Sequence, residues 1–248
     1  PFFTDATNNS MYTHDVSGTD DTAQYNTAYG FTAMDAITTG DQNTAVGYGA
    51  GGSLTTGTGN VSLGYRAGIN LTTGHNNVAI GSNALLTEDG DGGNVAIGTS
   101  ALKDLNAGAD AYNVAVGHAA GENVTTGIRN VLIGGLAGDA LTTGGNNIAI
   151  GYEALTTEDG DGRNIAIGTN SLQTLNAGSD AYNVAVGFAS GATMTTGVRN
   201  VIMGGLAADA LTTGGYNIAI GYSALGTEDT GAKSVAIGYA ALGLQNYN

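Results

Sequence analysis

A short motif, Asn-x-Ala-x-Gly, recurs along this chain at an almost constant interval. Ten of the twelve intervals between successive copies are identical, at seventeen positions, and the other two are two positions longer. A longer period lies over the short one, because residues 76–145 and 146–215 are identical at 50 of 70 positions. The chain is therefore a repeat protein. The thirteen copies begin at Asn26, Asn43, Asn60, Asn77, Asn94, Asn113, Asn130, Asn147, Asn164, Asn183, Asn200, Asn217 and Ser234.

A repeat unit of this length limits the fold severely. It is too short for the helix pairs of helical solenoids, and no apolar period typical of a helix occurs in it. It is long enough for two or three short strands with tight turns, which is one turn of a parallel β-solenoid. We predict an all-β parallel β-solenoid (β-roll) of about 13 turns over residues 26–248, assembled as an intimate homotrimer. Residues 1–25 are predicted to form a degenerate turn or cap, and the repeat domain comprises super-repeats 76–145 and 146–215 and a partial copy, 216–248.

The alternation within the motif predicts which side chains face the interior of each turn. Val or Ile follows the Asn in eleven copies, and a large apolar residue always stands two positions further on. We expect these residues to point into the turn. Ala lies between them in ten copies, and a face made of Ala is expected to pack closely against another chain. The predicted trimer interface is therefore Ala79, Ala96, Ala115, Ala149, Ala166 and Ala219.

The first and last residues of the motif have a predicted structural role. The Asn side chains are expected to form a ladder in which each amide bonds the neighbouring turn. The closing Gly, which is present in all thirteen copies, implies a positive φ or a close approach of two backbones. The representative structural residues are Asn77, Gly81, Asn94, Gly98, Asn147, Gly151, Asn217 and Gly221.

Composition and charge exclude several classes of protein. Gly accounts for 43 of 248 residues, but Pro occurs once, Cys is absent and 42% of residues are hydrophobic. Collagen, a disordered linker, a disulfide framework and a thiolate metal site are therefore excluded. The formal charge of −15, from 21 acidic and 6 basic residues, argues against nucleic acid and anionic membranes as partners. No apolar run approaches the roughly 20 residues that cross a bilayer, so we predict no direct membrane insertion.

The runs NNVAIGSNAL, NNIAIGYEAL and YNIAIGYSAL resemble the head repeats of trimeric autotransporter adhesins. The LTTG segments (Leu54–Gly57, Leu71–Gly74, Leu141–Gly144 and Leu211–Gly214) are similar to repeats of phage tail-fibre proteins. The resemblance covers residues 26–248 and implies a trimeric left-handed parallel β-roll. It also implies an extracellular location, at the surface of a virion or of a bacterial cell.

These features predict a structural and adhesive segment of an extracellular fibre, either a virion tail fibre or a bacterial adhesin head. Its partners would be its own copies and a host cell-surface glycan or protein receptor, bound by exposed loops. No GxSxG or HExxH motif is present, so we predict that the chain is not an enzyme. Two alternatives are a surface glycan-active enzyme and an ice-binding solenoid. The latter would use the Thr pairs Thr55–Thr56, Thr72–Thr73, Thr125–Thr126, Thr142–Thr143, Thr195–Thr196 and Thr212–Thr213.

Two acidic loops, TEDGDGG and TEDGDGR, are the candidate metal site. Clustered carboxylates and backbone carbonyls suit Ca²⁺, whereas a solvated turn is the other interpretation of the same residues. A third copy of the loop, at Glu228 and Asp229, has lost one carboxylate and is followed by Lys233. No other cofactor is predicted. The candidate calcium ligands are Glu88, Asp89, Asp91, Glu158, Asp159 and Asp161.

Overall fold

A computed structural model describes residues 3–5, 10–12, 22–90, 92–160 and 162–243. The chain divides into two compact units, Pro1–Ile128 and Arg129–Asn248. The regular elements of the described residues are all short strands, and no helix occurs among them. The predicted parallel β-solenoid of about 13 turns is confirmed, with six turns in the first unit and seven in the second.

The first unit contains eight strands. The first two form an antiparallel pair, and from the second strand onward every successive pair is parallel. The pairing is in register with the repeat, so that Ala79 lies opposite Ala96. The strands are β1 (Phe3–Asp5), β2 (Ser10–Tyr12), β3 (Thr27–Tyr29), β4 (Thr44–Val46), β5 (Val61–Leu63), β6 (Val78–Ile80), β7 (Val95–Ile97) and β8 (Val114–Val116).

The second unit contains seven parallel strands with the same register. Ala149 lies opposite Ala166, and Ile202 lies opposite Ala219. The longer spacing between the third and fourth of these strands is accommodated without a shift, because Ala166 still pairs with Ala185. The strands are β9 (Val131–Ile133), β10 (Ile148–Ile150), β11 (Ile165–Ile167), β12 (Val184–Val186), β13 (Val201–Met203), β14 (Ile218–Ile220) and β15 (Val235–Ile237).

The segment before the first full repeat forms hydrogen bonds like those of a solenoid turn. The backbone N–H of Asn26 donates to Ser10 Oγ at 3.0 Å, and the Ser10 hydroxyl donates to the carbonyl of Ala23 at 3.4 Å. Ser10 therefore stands where later turns have an Asn. Tyr12 pairs with Ala28 and is 2% exposed, so its ring fills the end of the coil interior.

The side chains of the strands point in the opposite direction to the one predicted. The central Ala of each strand points into the coil, and the flanking Val and Ile residues point outward and are partly exposed. The prediction that large residues fill the interior from this strand is wrong, and the Ala column is not available to another chain. The six residues predicted at the trimer interface are each 0% exposed within their own chain: Ala79, Ala96, Ala115, Ala149, Ala166 and Ala219.

Interior volume explains this orientation. Buried residues such as Leu71, Leu141 and Leu155 enter the interior from the rest of the turn, which leaves room for only a methyl group on the strand. Where the strand residue is larger, a Gly faces it: a Cβ added at Gly138 would lie 2.7 Å from Leu132 Cδ2. A small residue opposite Leu132 thus avoids overpacking of the interior.

Gly68 likewise leaves room for the side chain of Ser62, since an added Cβ would lie 2.8 Å from the serine Oγ. Beneath Ile202, an added Cβ at Gly191 would lie 3.0 Å from the isoleucine Cδ1. All three exceptions in the Ala column therefore contact a glycine, which lies in the same turn for Ser62 and Leu132 and in the preceding turn for Ile202.

The Asn side chains form a buried ladder that joins successive turns. The Oδ1 atom of Asn200 accepts the backbone N–H of Asn217 at 2.9 Å. Its Nδ2 donates to the carbonyl of Gly214 in the same turn at 2.9 Å. Asn77, Asn94, Asn147 and Asn217 occupy this ladder in the same way on their Oδ1 side. Because all are buried, the ladder satisfies backbone groups that have no access to water.

The Gly that follows each strand is required by close backbone approach. A Cβ at Gly98, whose φ is +137, would lie 2.2 Å from the carbonyl oxygen of Gly117 in the next turn. Gly81, Gly151 and Gly221 meet the equivalent glycine of the next turn at 2.5, 2.5 and 2.3 Å. No residue with a side chain fits there.

Candidate interaction surfaces

The outward residues of the strands make an apolar surface, which we call the outer apolar face. In the second unit every outward position is Val, Ile or Met, and each is at least partly exposed. Exposure is largest on the last strand, at 60% for Val235 and 66% for Ile237. The residues of this face in the second unit are Val131, Ile133, Ile148, Ile150, Ile165, Ile167, Val184, Val186, Val201, Met203, Ile218, Ile220, Val235 and Ile237.

Sequence reasoning missed this face, although the sequence contains a signal for it. The three residues that interrupt the Ala column, Ser62, Leu132 and Ile202, are followed six positions later by a Gly or an Ala, where six other turns have Leu. In two of these turns a large strand residue, Leu132 or Ile202, coincides with a small residue six positions later. Such an exchange indicates that both positions share one interior.

Aromatic side chains border the outer apolar face at the position after the strand's Gly. In the first unit the rings of Phe31 and Tyr48 stack with centroids 6.0 Å apart, and those of Tyr48 and Tyr65 stack at 5.5 Å. In the second unit Tyr222 and Tyr239 stack at 5.7 Å. All five are at least half exposed. Rings on successive turns therefore form short ladders along the edge of the apolar surface.

The acidic loops do not present their carboxylates together. Glu88 and Glu158 are 0% exposed and occupy the core position that Leu71 and Leu141 hold one turn earlier. Asp89, in contrast, is exposed, and its backbone carbonyl accepts hydrogen bonds from the N–H and the hydroxyl of Thr72 at 2.8 and 2.6 Å.

The third acidic loop shows how a buried carboxylate is used. Glu228 is 1% exposed, and its Oε1 accepts the backbone N–H of Gly231 at 2.7 Å. A buried carboxylate needs such donors to offset its loss of hydration. The glutamate of this loop therefore holds the backbone of its own turn.

Calcium binding at the acidic loops stays a prediction. Asp91 and Asp161 lie outside the described residues. Among the residues that are described, no three His, Asp or Glu side chains converge in a way that could hold a metal ion. Glu88 and Glu158 are buried, whereas Asp89 and Asp159 are exposed, so within each loop the described acidic residues differ in their access to solvent.

The two residues of a Thr pair can differ in their hydrogen bonds and in their exposure. The first Thr of a pair bonds the next turn: Thr55 Oγ1 donates to the carbonyl of Thr72 at 3.0 Å, and Thr142 Oγ1 donates to that of Asp159 at 2.8 Å. Only the second Thr, such as Thr143, is fully exposed in these turns. In these pairs only one Thr is exposed, whereas Thr195 and Thr196 are both exposed.

Among the described residues the pKa is raised at Lys103, Tyr152 and Asp209, at Tyr152 by a hydrogen bond to Glu153. A hydrogen bond of 2.5 Å to Glu122 Oε1 raises the pKa of the Lys103 ammonium. Burial raises the pKa of the Asp209 carboxyl, which borders a small open cavity that also contacts Ser223 and Thr227. Because the Lys103 ammonium is held in an ion pair and the Asp209 shift follows from burial, we assign both to local structure.

Comparison with known proteins adds no identity. No family model, no curated protein and no solved structure matches this chain. Within the described residues, the chain forms no helix with the length and apolar character needed to span a membrane. The geometry of the surfaces therefore carries the functional argument.

Proposed function

We propose that this chain is a structural and adhesive segment of an extracellular fibre, in which three copies associate through their outer apolar faces. The fibre is a virion tail fibre or the head of a bacterial adhesin. The apolar face is the observation that supports this proposal. It replaces the Ala column as the surface between copies.

The physical argument rests on the character of parallel sheets. Parallel sheets are almost always covered on both faces, and strands buried on both sides are rich in Val and Ile. Here the inner side is covered by the Leu residues of the same turn, whereas the Val and Ile residues of the outer side are partly exposed. Contiguous apolar surface of this kind indicates an interaction site.

A second copy is the simplest cover, because every turn of the second unit presents two outward apolar residues. The second units of two or three copies can meet with the same contact at every turn. A globular partner would instead match only part of such a periodic surface.

The stacked turns within each unit suit a structural role. The Asn ladder and the in-register strands connect each turn only to its neighbours, so stability adds up along the stack. The outer loops, by contrast, are free to carry recognition. In the two longer turns the segments 106–110 and 176–180 are largely exposed, and a Cβ added at Gly108 or Gly178 would meet nothing within 4 Å.

The test is the oligomeric state of a matched pair of variants. Ile167→Lys places a charge on the outer apolar face, whereas Ser179→Lys places the same charge on an exposed loop of the same repeat. We expect light scattering to give three times the chain mass of 24.5 kDa for the native protein and for Ser179→Lys. Ile167→Lys should give monomers with an unchanged far-UV circular dichroism spectrum. A monomeric native protein, or a trimer that tolerates Ile167→Lys, would contradict the proposal.

A further inference from the structure

Basic residues are concentrated in one column of the second unit. Of the six Lys and Arg residues of the chain, four stand directly before the first motif residue of successive alternate turns. Aromatic or amide side chains fill the turns between them, and all seven residues are exposed. This column, which we call the cation ladder, consists of Arg129, Asn146, Arg163, Tyr182, Arg199, Tyr216 and Lys233.

The backbone sets the spacing of the cation ladder. The N–H of Arg199 donates to the carbonyl of Ala181 at 2.7 Å, and the N–H of Lys233 donates to that of Gly215 at 3.0 Å. Each of these column residues is thereby tied to the corner of the preceding turn. Since strands stack at about 4.8 Å, cations on alternate turns lie about 9.6 Å apart.

Ring stacking holds the guanidinium groups in place. Arg163 and Arg199 cap Tyr182, with their Cζ atoms 5.5 and 5.9 Å from the ring centroid. Arg199 also lies 5.3 Å from the ring centroid of Tyr216 and donates from Nη1 to its hydroxyl at 2.5 Å. Cation–π contacts of this kind orient the charged groups before any ligand arrives.

The side chains of the cation ladder are present despite a backbone cost. Arg163, Tyr182, Arg199, Tyr216 and Lys233 all have left-handed φ values, between 54° and 64°. For residues other than Gly or Asn this conformation costs about 1 kcal/mol or more each. The first unit places Gly59 and Gly93 at the same point of the turn, so the fold does not need a side chain there.

Arg199 differs from Arg163 in its access to an external anion. Arg163 also pairs with the Asp180 carboxylate. Among the described residues no carboxylate lies within ion-pair distance of Arg199. Its N–H groups beyond the one bonded to Tyr216 can therefore bind an external anion, for which a guanidinium fork is well shaped.

We propose that the cation ladder binds a linear acidic polysaccharide that runs along the stack of turns. An extended glycan in which every second sugar carries an acid group has its charges at about the spacing of the alternate-turn cations. The Tyr hydroxyls and Asn146 between the cations offer hydrogen bonds to the intervening sugars. The inference rests on the proposed function, because it names the receptor class of the same fibre.

The geometry favours a glycan over single-stranded nucleic acid. Nucleic acids gain much of their affinity from bases that stack on free aromatic faces. Both faces of Tyr182 are covered by guanidinium groups, so no base can stack there. The net charge of −15 also repels a polyanion with closely spaced charges. A polyanion with widely spaced charges can place them mainly against the cation ladder.

The position of the ladder is compatible with assembly of three copies. It lies at the corner before each strand, and the outer apolar face begins two positions later. Covering that face would leave the ladder at the rim of the contact. The same chain could then associate with its copies and bind the glycan.

The experiment measures binding of a hyaluronan decasaccharide, which carries one carboxylate per disaccharide, to the full chain by titration calorimetry. Arg199→Asn removes one ladder cation and introduces a residue that tolerates a left-handed φ, as Asn146 does. Arg66→Asn is the matched control, because Arg66 also has a positive φ of 54° but stands in the first unit outside the ladder.

We expect Arg199→Asn to weaken decasaccharide binding about tenfold, which is about 1.4 kcal/mol, with an equal or higher melting temperature. Arg66→Asn should bind as the native protein does, and an uncharged chitin oligosaccharide should not bind. The proposal is overturned if the native protein ignores the decasaccharide, if both variants lose affinity equally, or if oligo-dT binds more tightly. If the native protein is a trimer but does not bind the decasaccharide, the glycan inference is rejected and the proposed fibre is not. If the native protein is a monomer that binds the decasaccharide, the proposed fibre is rejected and the glycan inference is not.

Discussion

The inward orientation of the strand centre predicts a specific coupling between Leu132 and Gly138. Leu132→Ala should cost about 2–5 kcal/mol, because it removes a fully buried leucine and leaves a cavity. Gly138→Leu alone should cost about 1–3 kcal/mol by overpacking, since its Cβ would lie 2.7 Å from Leu132 Cδ2. The double variant removes that clash and fills the cavity. It reproduces the arrangement of the next turn, which has Ala149 and Leu155 at these positions.

The double variant should therefore be more stable than the sum of the single changes predicts, by about 1–3 kcal/mol. Full compensation is not expected, because the same Cβ would also lie 2.9 Å from Leu141 Cδ1. The assay is urea unfolding of the three variants and the native protein at one fixed protein concentration, since association shifts apparent stability. Additive effects within about 0.5 kcal/mol, or a neutral Leu132→Ala, would refute the inward orientation.

Three further predictions concern the Asn ladder, the acidic loops and the repeat. Asn200→Ala should lower the free energy of unfolding by about 2–4 kcal/mol, because it leaves buried backbone groups of two turns without hydrogen-bond partners. The exposed Asn146→Ala should cost only the left-handed backbone term of about 1–2 kcal/mol, and equal losses would contradict the ladder's role. If the carboxylate of Glu228 holds Gly231, Glu228→Leu should lower the melting temperature equally with and without a chelator. A chelator that lowers the melting temperature of the native protein would instead support calcium binding. Deleting 146–215 joins equivalent positions of two turns and should give a shorter folded protein with cooperative unfolding, whereas deleting about half a turn should cause aggregation.

The architecture was predictable from the sequence because it depends on period alone. Turns this short can form only short strands, and in-register stacking follows from thirteen copies of one motif. The Gly after each strand was equally predictable, since only close backbone contact explains a glycine that never varies among the copies. These features require no knowledge of which way a side chain points.

The facing of the strands was not predictable from side-chain size alone. Size suggests that Ile97 is inside and Ala96 outside, but the interior is already filled by residues such as Leu102 and Leu105. Only the exchange of large and small residues, as at Leu132 and Gly138, indicates the true arrangement. The same limit applies to Glu88, which was predicted as a calcium ligand although it aligns with a core leucine of the preceding turn.

The cation ladder illustrates a different limit. The residues before each Asn can be read from the sequence, yet their significance depends on stacking between turns and on a left-handed backbone. Tyr182 and Arg199 stand one full repeat apart in the sequence, and only the register of the solenoid brings the guanidinium to 5.9 Å from the ring centroid.

The most direct test of the account asks whether the outer apolar face is covered in solution. Because the chain contains no Cys, a single thiol introduced by Ile167→Cys reports on that face alone, and Ser179→Cys on an exposed loop serves as the reference. The measurement is the rate of alkylation by iodoacetamide in the native state. The account predicts that the thiol at position 167 reacts much more slowly than the thiol at position 179, and that dissociation of the trimer restores its rate. Equal rates in the undisturbed protein would contradict association through this face.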